Sequence, residues 1–366
     1  MNNTIPAEIV SLRDYWRVAK SRLDEQAWAY FSGGAEQERG MKKNEQAFEQ
    51  FEIMPRVLRD LSVGSTQVRI HHRTYAYPIF LAPVAWQRWA HPLGEQAVAQ
   101  AAAAMRTPFM LSMQSTCSLE ELRAAAPQAE LWVQWYWHND MRATESLWQR
   151  CVHHDVAAIV LTVDAPIQGM RYREQRAGQM RPAHLQTPLL AEFNSVSPPH
   201  APAGHSPIFG TGWMQHAPNW QTIQQFIQAC PMPVWLKGIV HPDDARLAVE
   251  VGAAGLIVSN HGGRQLDALP ASLSALPAVA AAVQGRIPII LDGGVRSGSD
   301  VFIALALGAQ AVAVGRPYIM ALAVGGAPAV AHVLHLLRTE LEIAMVLAGC
   351  AQIEHITRES IQQRSY

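Results

Sequence analysis

The feature that most constrains this chain is a succession of short apolar, β-branched runs, each followed by a stretch able to form a helix. Eight such runs can be read: Tyr77 to Ala82, Pro108 to Ser112, Leu131 to Tyr136, Ala157 to Val163, Pro233 to Lys237, Gly255 to Ser259, Pro288 to Leu291 and Ala311 to Val314. Helical candidates such as Gly94 to Met105 and Asp140 to His154 lie between them. Strands that are apolar on both faces and alternate with helices form a parallel sheet covered by helices. Eight units, with no Gly-rich dinucleotide fingerprint after the first, predict an α/β protein closed into a (β/α)8 TIM barrel; an open doubly wound sheet is the lesser alternative. The chain is long enough for two ordinary domains, but one barrel of about 250 residues with extensions accounts for it equally well. The expectation is a single domain over 1–366, with a helical N-terminal extension over 1–75.

In that extension Arg13 to Lys20 and Asp24 to Phe31 carry the helical pattern, and the segment is too short for a cytochrome-like electron-accepting domain. After the fourth strand comes a Pro- and His-rich stretch within 174–213, longer than a structureless connection should be in a compact barrel unless it is an active-site lid. Hydrophobic residues make up 49% of the chain, enough for a large core, and the formal net charge of -1 points to neither nucleic acid nor a membrane surface. Cys117, Cys151, Cys230 and Cys350 lie far apart with no CxxC pair, so neither a metal site nor a secreted disulfide framework is expected. No basic segment leads into an apolar run at the N-terminus, and the expected location is cytoplasmic.

In a barrel of this kind the C-terminal ends of the strands form the active face. The sixth strand ends in Ser259-Asn260-His261-Gly262-Gly263-Arg264-Gln265-Leu266-Asp267, which sets an imidazole and a guanidinium three residues apart on a Gly-rich turn. Arginine can hold a carboxylate through two parallel hydrogen bonds while histidine takes a proton from a neighbouring carbon or hydroxyl. The fourth strand ends in Thr162-Val163-Asp164-Ala165-Pro166, an acid placed to support a histidine on the sixth; Arg171, seven residues on, is a second candidate for the carboxylate. The bland readings stay open: a helix-capping aspartate, a solvated arginine, a satisfied loop histidine. Lys237 ends an apolar strand, where a cation is costly unless it meets an anion or an electron-rich ring. Asp292-Gly293-Gly294-Val295-Arg296 after the seventh strand and Gly315-Arg316-Pro317 after the eighth bring glycine turns and arginines to the place where barrels usually bind phosphate. A phosphate-bearing cofactor is implied.

Taken together, Ser259 to Asp267, Asp292 to Arg296 and Gly315 to Pro317 resemble the FMN-dependent L-2-hydroxy acid oxidase and dehydrogenase family. The likeness runs from Tyr30 in WAYFSGGAEQE, through Ala82-Pro83-Val84-Ala85 and Ala90-His91-Pro92, to Leu347-Ala348-Gly349. The resemblance, not the spacing, names the cofactor as FMN and implies oxidation of a 2-hydroxy acid to the keto acid, with reduced FMN reoxidised by O2 to give H2O2. By the same resemblance His261 is the catalytic base supported by Asp164, Arg171 and Arg264 bind the carboxylate, Tyr30 helps them, and Tyr136 hydrogen-bonds the hydroxyl. Pro83, Val84, Ala85, Ser112, Gln134, Thr162, Lys237 and Ser259 are implied to border the flavin, and Asp292, Gly294, Arg296, Gly315 and Arg316 its ribityl chain and phosphate. No metal is implied, and the family suggests a homotetramer.

Gln114 stands where some family members have Trp, and Val84 where several have Thr, so the substrate wall is unlike that of a glycolate-specific enzyme and suits a larger, lactate-like or mandelate-like side chain; Trp86 and Met113 are further candidates for that wall. Three alternatives are weighed. A quinone or carrier protein could replace O2, but an apolar lid insertion, the mark of membrane-associated relatives, is missing from this polar stretch. An FMN barrel isomerase or nucleotide dehydrogenase would not need His261 with two arginines, and the latter would want a cysteine at the active face, for which Cys117 is the nearest candidate. A non-enzymatic scaffold would have a broken catalytic set, and this one is intact.

Overall fold

The computed structural model describes residues 5–178, 182–193, 204–209, 214 and 216–364. Three helices come first, at Asp14–Arg22, Glu25–Ser32 and Arg39–Gln46. The second begins where expected because the Asp24 side chain accepts from Ala27 N–H and caps it. The extension is not helical throughout, however. Strand β1 (Phe51–Ile53) pairs antiparallel with the C-terminal β12 (Ile361–Gln363), and β2 (Val68–Ile70) with β3 (Arg73–Tyr75) forms a hairpin across a two-residue turn. In β2 the burial alternates, so Val68 and Ile70 face the core while Arg69 faces water. These three-residue strands are too short for a period of two to stand out in the sequence.

Strands β4 (Ile79–Leu81), β5 (Phe109–Ser112), β6 (Leu131–Trp135), β7 (Ala158–Thr162), β8 (Val234–Lys237), β9 (Gly255–Val258), β10 (Ile289–Asp292) and β11 (Ala311–Val314) are the eight apolar runs of the sequence, and they close into one parallel barrel. Closure is made by β11 against β4, with Val312, Ala313 and Val314 in register with Ile79, Phe80 and Leu81. All residues of all eight strands are buried, which is why each reads as a continuous apolar run. The exceptions to that apolarity, Ser112, Gln134, Thr162, Lys237 and Asp292, sit at or next to strand C-termini and all belong to the site.

The helices that cover the barrel start at readable signals. Ser118 and Ser297 each form a capping box, with Glu121 and Asp300, and Asp140 caps the helix Met141–His153. The last helix, Arg316–Ala348, is long and apolar enough to cross a membrane by composition, yet most of it is buried against the barrel, and its backbone leaves helical geometry at Gly325 and Gly326.

The stretch expected to be a lid lies partly outside the described residues, at 179–181, 194–203 and 210–213. Its described part holds a short helix, Tyr172–Arg176, and a turn of 3-10 helix at Pro188–Leu190. Leu189 and Phe193 are buried there, and the Phe193 ring packs edge-on against Trp135 at 6.1 Å, so this part clamps onto the barrel wall.

The N-terminal helices are fixed to the barrel mouth by Asp267, a fully buried carboxylate in the loop after β9. It accepts from Gly40 N–H at 2.8 Å, from Gln37 N–H at 3.2 Å and from Arg39 Nε at 3.2 Å. Ala35 N–H adds a bond to the Gly263 carbonyl at 2.8 Å. Replacing Asp267 by Ala strands these donors. The unfolding free energy from chemical denaturation is expected to fall by about 2 to 4 kcal/mol.

Candidate active site

The strand C-termini and the loops beyond them enclose a cavity of about 330 Å³. Every residue expected to act lines it except Asp164 and Ser259, which stand behind its wall. Trp86 lines it as well, whereas Met113 is fully buried and does not; neither do the described residues of 174–213.

On one side the groups suit acid–base chemistry. His261 Nδ1 is 3.0 Å from Asp164 Oδ1. A carboxylate only accepts, so the ring proton belongs on Nδ1 and Nε2 is left as the atom able to take a proton. Burial, helped by Lys237 and Arg171, outweighs the attraction of Asp164 and holds the imidazole below its ordinary value. Asp164 stays ionised: burial alone would raise its carboxyl, but His261 and Lys237 bring it below the usual carboxylate range. The pair reaches this distance only because residue 238 is glycine. Gly238 has φ +110°, and a Cβ there would lie 2.5 Å from Asp164 Cβ and Cγ.

Arg171 and Arg264 come together beside them. Arg264 Nη1 donates to the Tyr30 and Gly33 carbonyls at 2.6 and 2.9 Å, and its guanidinium lies over the Tyr30 ring at 4.8 Å. Tyr30 is itself wedged between Trp86 and Trp89, with ring centroids at 4.8 and 5.7 Å. Burial raises the phenols of both Tyr30 and Tyr136, so each remains a hydrogen-bond donor at neutral pH. Glu174, which sequence reasoning missed, binds both arginines from behind, with Oε1 2.9 Å from Arg264 Nη2 and 3.5 Å from Arg171 Nη1. Its spacing of three from Arg171 was visible, but such a pair on a helix is ordinarily solvent-exposed decoration.

The other side is built to hold a flat polar group ending in an anion. Ser112 Oγ donates to Gln134 Oε1 at 3.3 Å and Gln134 Nε2 to Thr162 Oγ1 at 3.0 Å, a chain across the ends of β5, β6 and β7. Next along, Lys237 Nζ donates to Ser259 Oγ at 3.0 Å and pairs with Asp292 Oδ2 at 3.2 Å. Ser259 therefore positions Lys237 instead of forming the cavity wall. Asp292 Oδ1 and Arg316 Nε are buried with no partner among the described residues. Burial, with Arg264 and Arg296 nearby, pulls the Arg316 guanidinium down to about 9, the condition of a cation short of an anion. Gly294, at φ +90°, brings its backbone to the mouth where a Cβ would lie 2.1 Å from the Asn44 carbonyl oxygen. Orphaned acceptor and donor, two arginines and helix-start amides at Arg316 fit a ribityl phosphate, with Lys237 beside the ring.

A thiol mechanism does not fit. Among the described residues no cysteine lines the cavity, and burial pushes the Cys117 thiol up to about 12.

Fold and site together define an FMN-dependent oxidoreductase on a (β/α)8 barrel. Residues 19–363 match the FMN-dependent dehydrogenase family, and the chain belongs to it. It is 43% identical over 360 residues to the L-lactate oxidase of Alicycliphilus denitrificans, covering 98% of each chain. It is 38% identical over 354 residues to glycolate oxidase 1 of Zea mays, covering 97% of this chain and 96% of that one. A mandelate oxidase variant solved with (S)-mandelic acid superposes with a TM-score of 0.87 at 37% identity, over 98% of this chain and 99% of the other.

The phosphate end makes a direct prediction. Because charge-assisted hydrogen bonds are each worth about 1.5–3 kcal/mol, Arg316→Leu should bind FMN about tenfold to a hundredfold more weakly. Riboflavin, which lacks the phosphate, should bind wild-type and variant apoprotein alike. Fluorescence titration of apoprotein with each flavin checks both.

Proposed function

We propose that this chain oxidises a small L-2-hydroxy acid to the 2-keto acid at the cavity bounded by His261, Arg171 and Arg264, and passes the electrons from FMN to O2 with release of H2O2. The single observation that carries the reading is the His261–Asp164 pair set beside two arginines in the same cavity as the donor set for FMN. When bound, FMN supplies the acceptor for two electrons.

The chain's own groups do the rest. Arg171 and Arg264, aided by the Tyr30 hydroxyl, hold the substrate carboxylate, which fixes C2 and its hydroxyl in front of the base. His261 Nε2 takes the proton lost as the alcohol becomes a carbonyl, and Asp164 stabilises the imidazolium so formed. Tyr136 donates to the substrate oxygen. Lys237, which lines the cavity, would face the bound flavin and offset the negative charge it carries when reduced. Gln114 and Trp86 shape the wall facing the substrate side chain, which suits a lactate-like or mandelate-like group.

We also read the chain as a cytoplasmic homotetramer. Its four cysteines are free, as a reducing compartment requires. Ile343, Val346 and Leu347 are exposed at the end of the last helix, and Val57 and Leu58 on the segment hydrogen-bonded to it through Arg56, an apolar surface that a second copy would cover. Light scattering on the eluted protein tests the assembly.

Anaerobic mixing with L-lactate, glycolate and L-mandelate, followed by air, tests the reaction. Bleaching of the yellow protein by an acid, then rapid recovery in air with peroxide formed, is expected; recovery only with a quinone would replace the oxidase by a dehydrogenase, and no bleaching would end the reading. His261→Gln should lower kcat/KM by about 10²- to 10⁴-fold or more while FMN stays bound. Since the base works as neutral imidazole, kcat/KM should rise with pH and level off. Its midpoint should lie below about 6.5, the ordinary imidazole value, because the environment of His261 favours the neutral form.

A further inference from the structure

Two guanidiniums that must face one carboxylate repel each other, so something has to hold them together and set their aim. Arg171 and Arg264 keep only 11% and 14% of their side-chain exposure, and Glu174, itself 8% exposed, lies behind them. Its single oxygen Oε1 meets Arg264 Nη2 at 2.9 Å and Arg171 Nη1 at 3.5 Å. The short helix that carries it is tied to the segment bearing Tyr30, since Arg173 donates to Ser32 Oγ at 2.9 Å and pairs with Glu38. With Arg264 Nη1 bound to two carbonyls and Arg171 Nε on the Arg264 carbonyl at 3.4 Å, Arg264 Nε and Arg171 Nη2 have no partner among the described residues. Those nitrogens, with the second N–H of Arg264 Nη2 and of Arg171 Nη1, are the donors left for a ligand.

We propose that Glu174 is a positioning residue that sets both the aim and the net charge of the carboxylate clamp. It aligns the two guanidiniums and cancels one of their charges, so that a single monocarboxylate completes a neutral cluster. The proposal rests on the reading that this clamp receives the substrate carboxylate. A clamp carrying both charges would hold substrate and keto acid product more tightly alike, and uniform binding lowers KM without raising kcat. The added positive charge would also disfavour an imidazolium at His261.

The test uses the FMN-loaded enzyme with Glu174→Gln, which keeps shape and an acceptor oxygen but not the charge, beside Glu174→Ala, which keeps neither. For Glu174→Gln, KM for L-lactate and the inhibition constant of pyruvate should both fall about threefold to tenfold, and kcat should fall; the acid limb of kcat/KM should move to lower pH. For Glu174→Ala, KM should rise about tenfold as the arginines lose their alignment. Glu174→Asp, which keeps the charge and shortens the reach, should raise KM and leave the acid limb in place. Pyruvate and acetate titrated into the oxidised enzyme, followed by the flavin absorbance, report binding without turnover. A Glu174→Gln enzyme that binds them no more tightly than wild type, or an acid limb that moves equally in Glu174→Asp, overturns the proposal. Wild-type enzyme that binds both anions yet oxidises no 2-hydroxy acid would sink the functional reading and leave the role of Glu174 to be decided by the titration.

Discussion

Concentrated positive charge is what the mouth of this barrel has to manage. Among the described residues Lys237, Arg171, Arg264, Arg296 and Arg316 line one cavity, and the carboxylates paired with them are Asp292, Glu174 and Glu45, while Asp164 is taken up by His261. The deficit is uneven. Lys237 has Asp292, Arg296 has Glu45 at 2.9 Å, and the Arg171–Arg264 pair shares Glu174, whereas Arg316 donates to the Gly33 carbonyl and has no carboxylate partner among the described residues. A buried cation without a counter-ion costs several kcal/mol. The protein tolerates that at the positions where a phosphate and a carboxylate would supply the missing charge, so the same imbalance that weakens the ligand-free protein drives ligand binding.

The N-terminal segment turns this barrel into a site. Residues 30–45 supply Tyr30, the Gly33 carbonyl that both Arg264 and Arg316 use, Asn44 against Gly294 and Glu45 against Arg296. Asp267 holds that segment in place from the far end of the loop that carries His261. One loop therefore carries the base, a clamp arginine and the anchor of the segment that completes the clamp. Disturbing the anchor would disturb catalysis without touching a reacting group.

The barrel was legible in the sequence because a strand buried on both faces is apolar without interruption, and each of the eight runs became a strand within about two residues of the bounds read. The polar exceptions marked the site for the same reason: Lys237 or Asp292 ends an apolar strand only where something compensates for it. Legibility stopped where pairing is long-range or polar. β1 pairs with a strand at the opposite end of the chain, and its three residues hold no period of their own. Glu174 looks like a surface charge until the tertiary structure sets two arginines against it. Ser259, expected at the flavin, stands behind the cavity wall and meets Lys237, a distinction that only distances reveal.

The backbone of the catalytic loop shows how firmly the geometry is specified. His261, Gly262 and Gly263 run consecutively through positive φ, at 58°, 63° and 72°. For the glycines this is free, but a left-handed histidine costs about 1 kcal/mol or more and persists only where its surroundings leave no alternative. Here they do not. His261 N–H donates to Ser259 Oγ and Gly263 N–H to the Asn260 carbonyl, while the Asn260 side chain is locked by Asn44 and the Pro270 carbonyl. The strained turn points His261 at Asp164 instead of along the strand, and Gly238 clears the space in which they meet. A relaxed loop would stabilise the fold slightly and lose the base, so the strain belongs to the site.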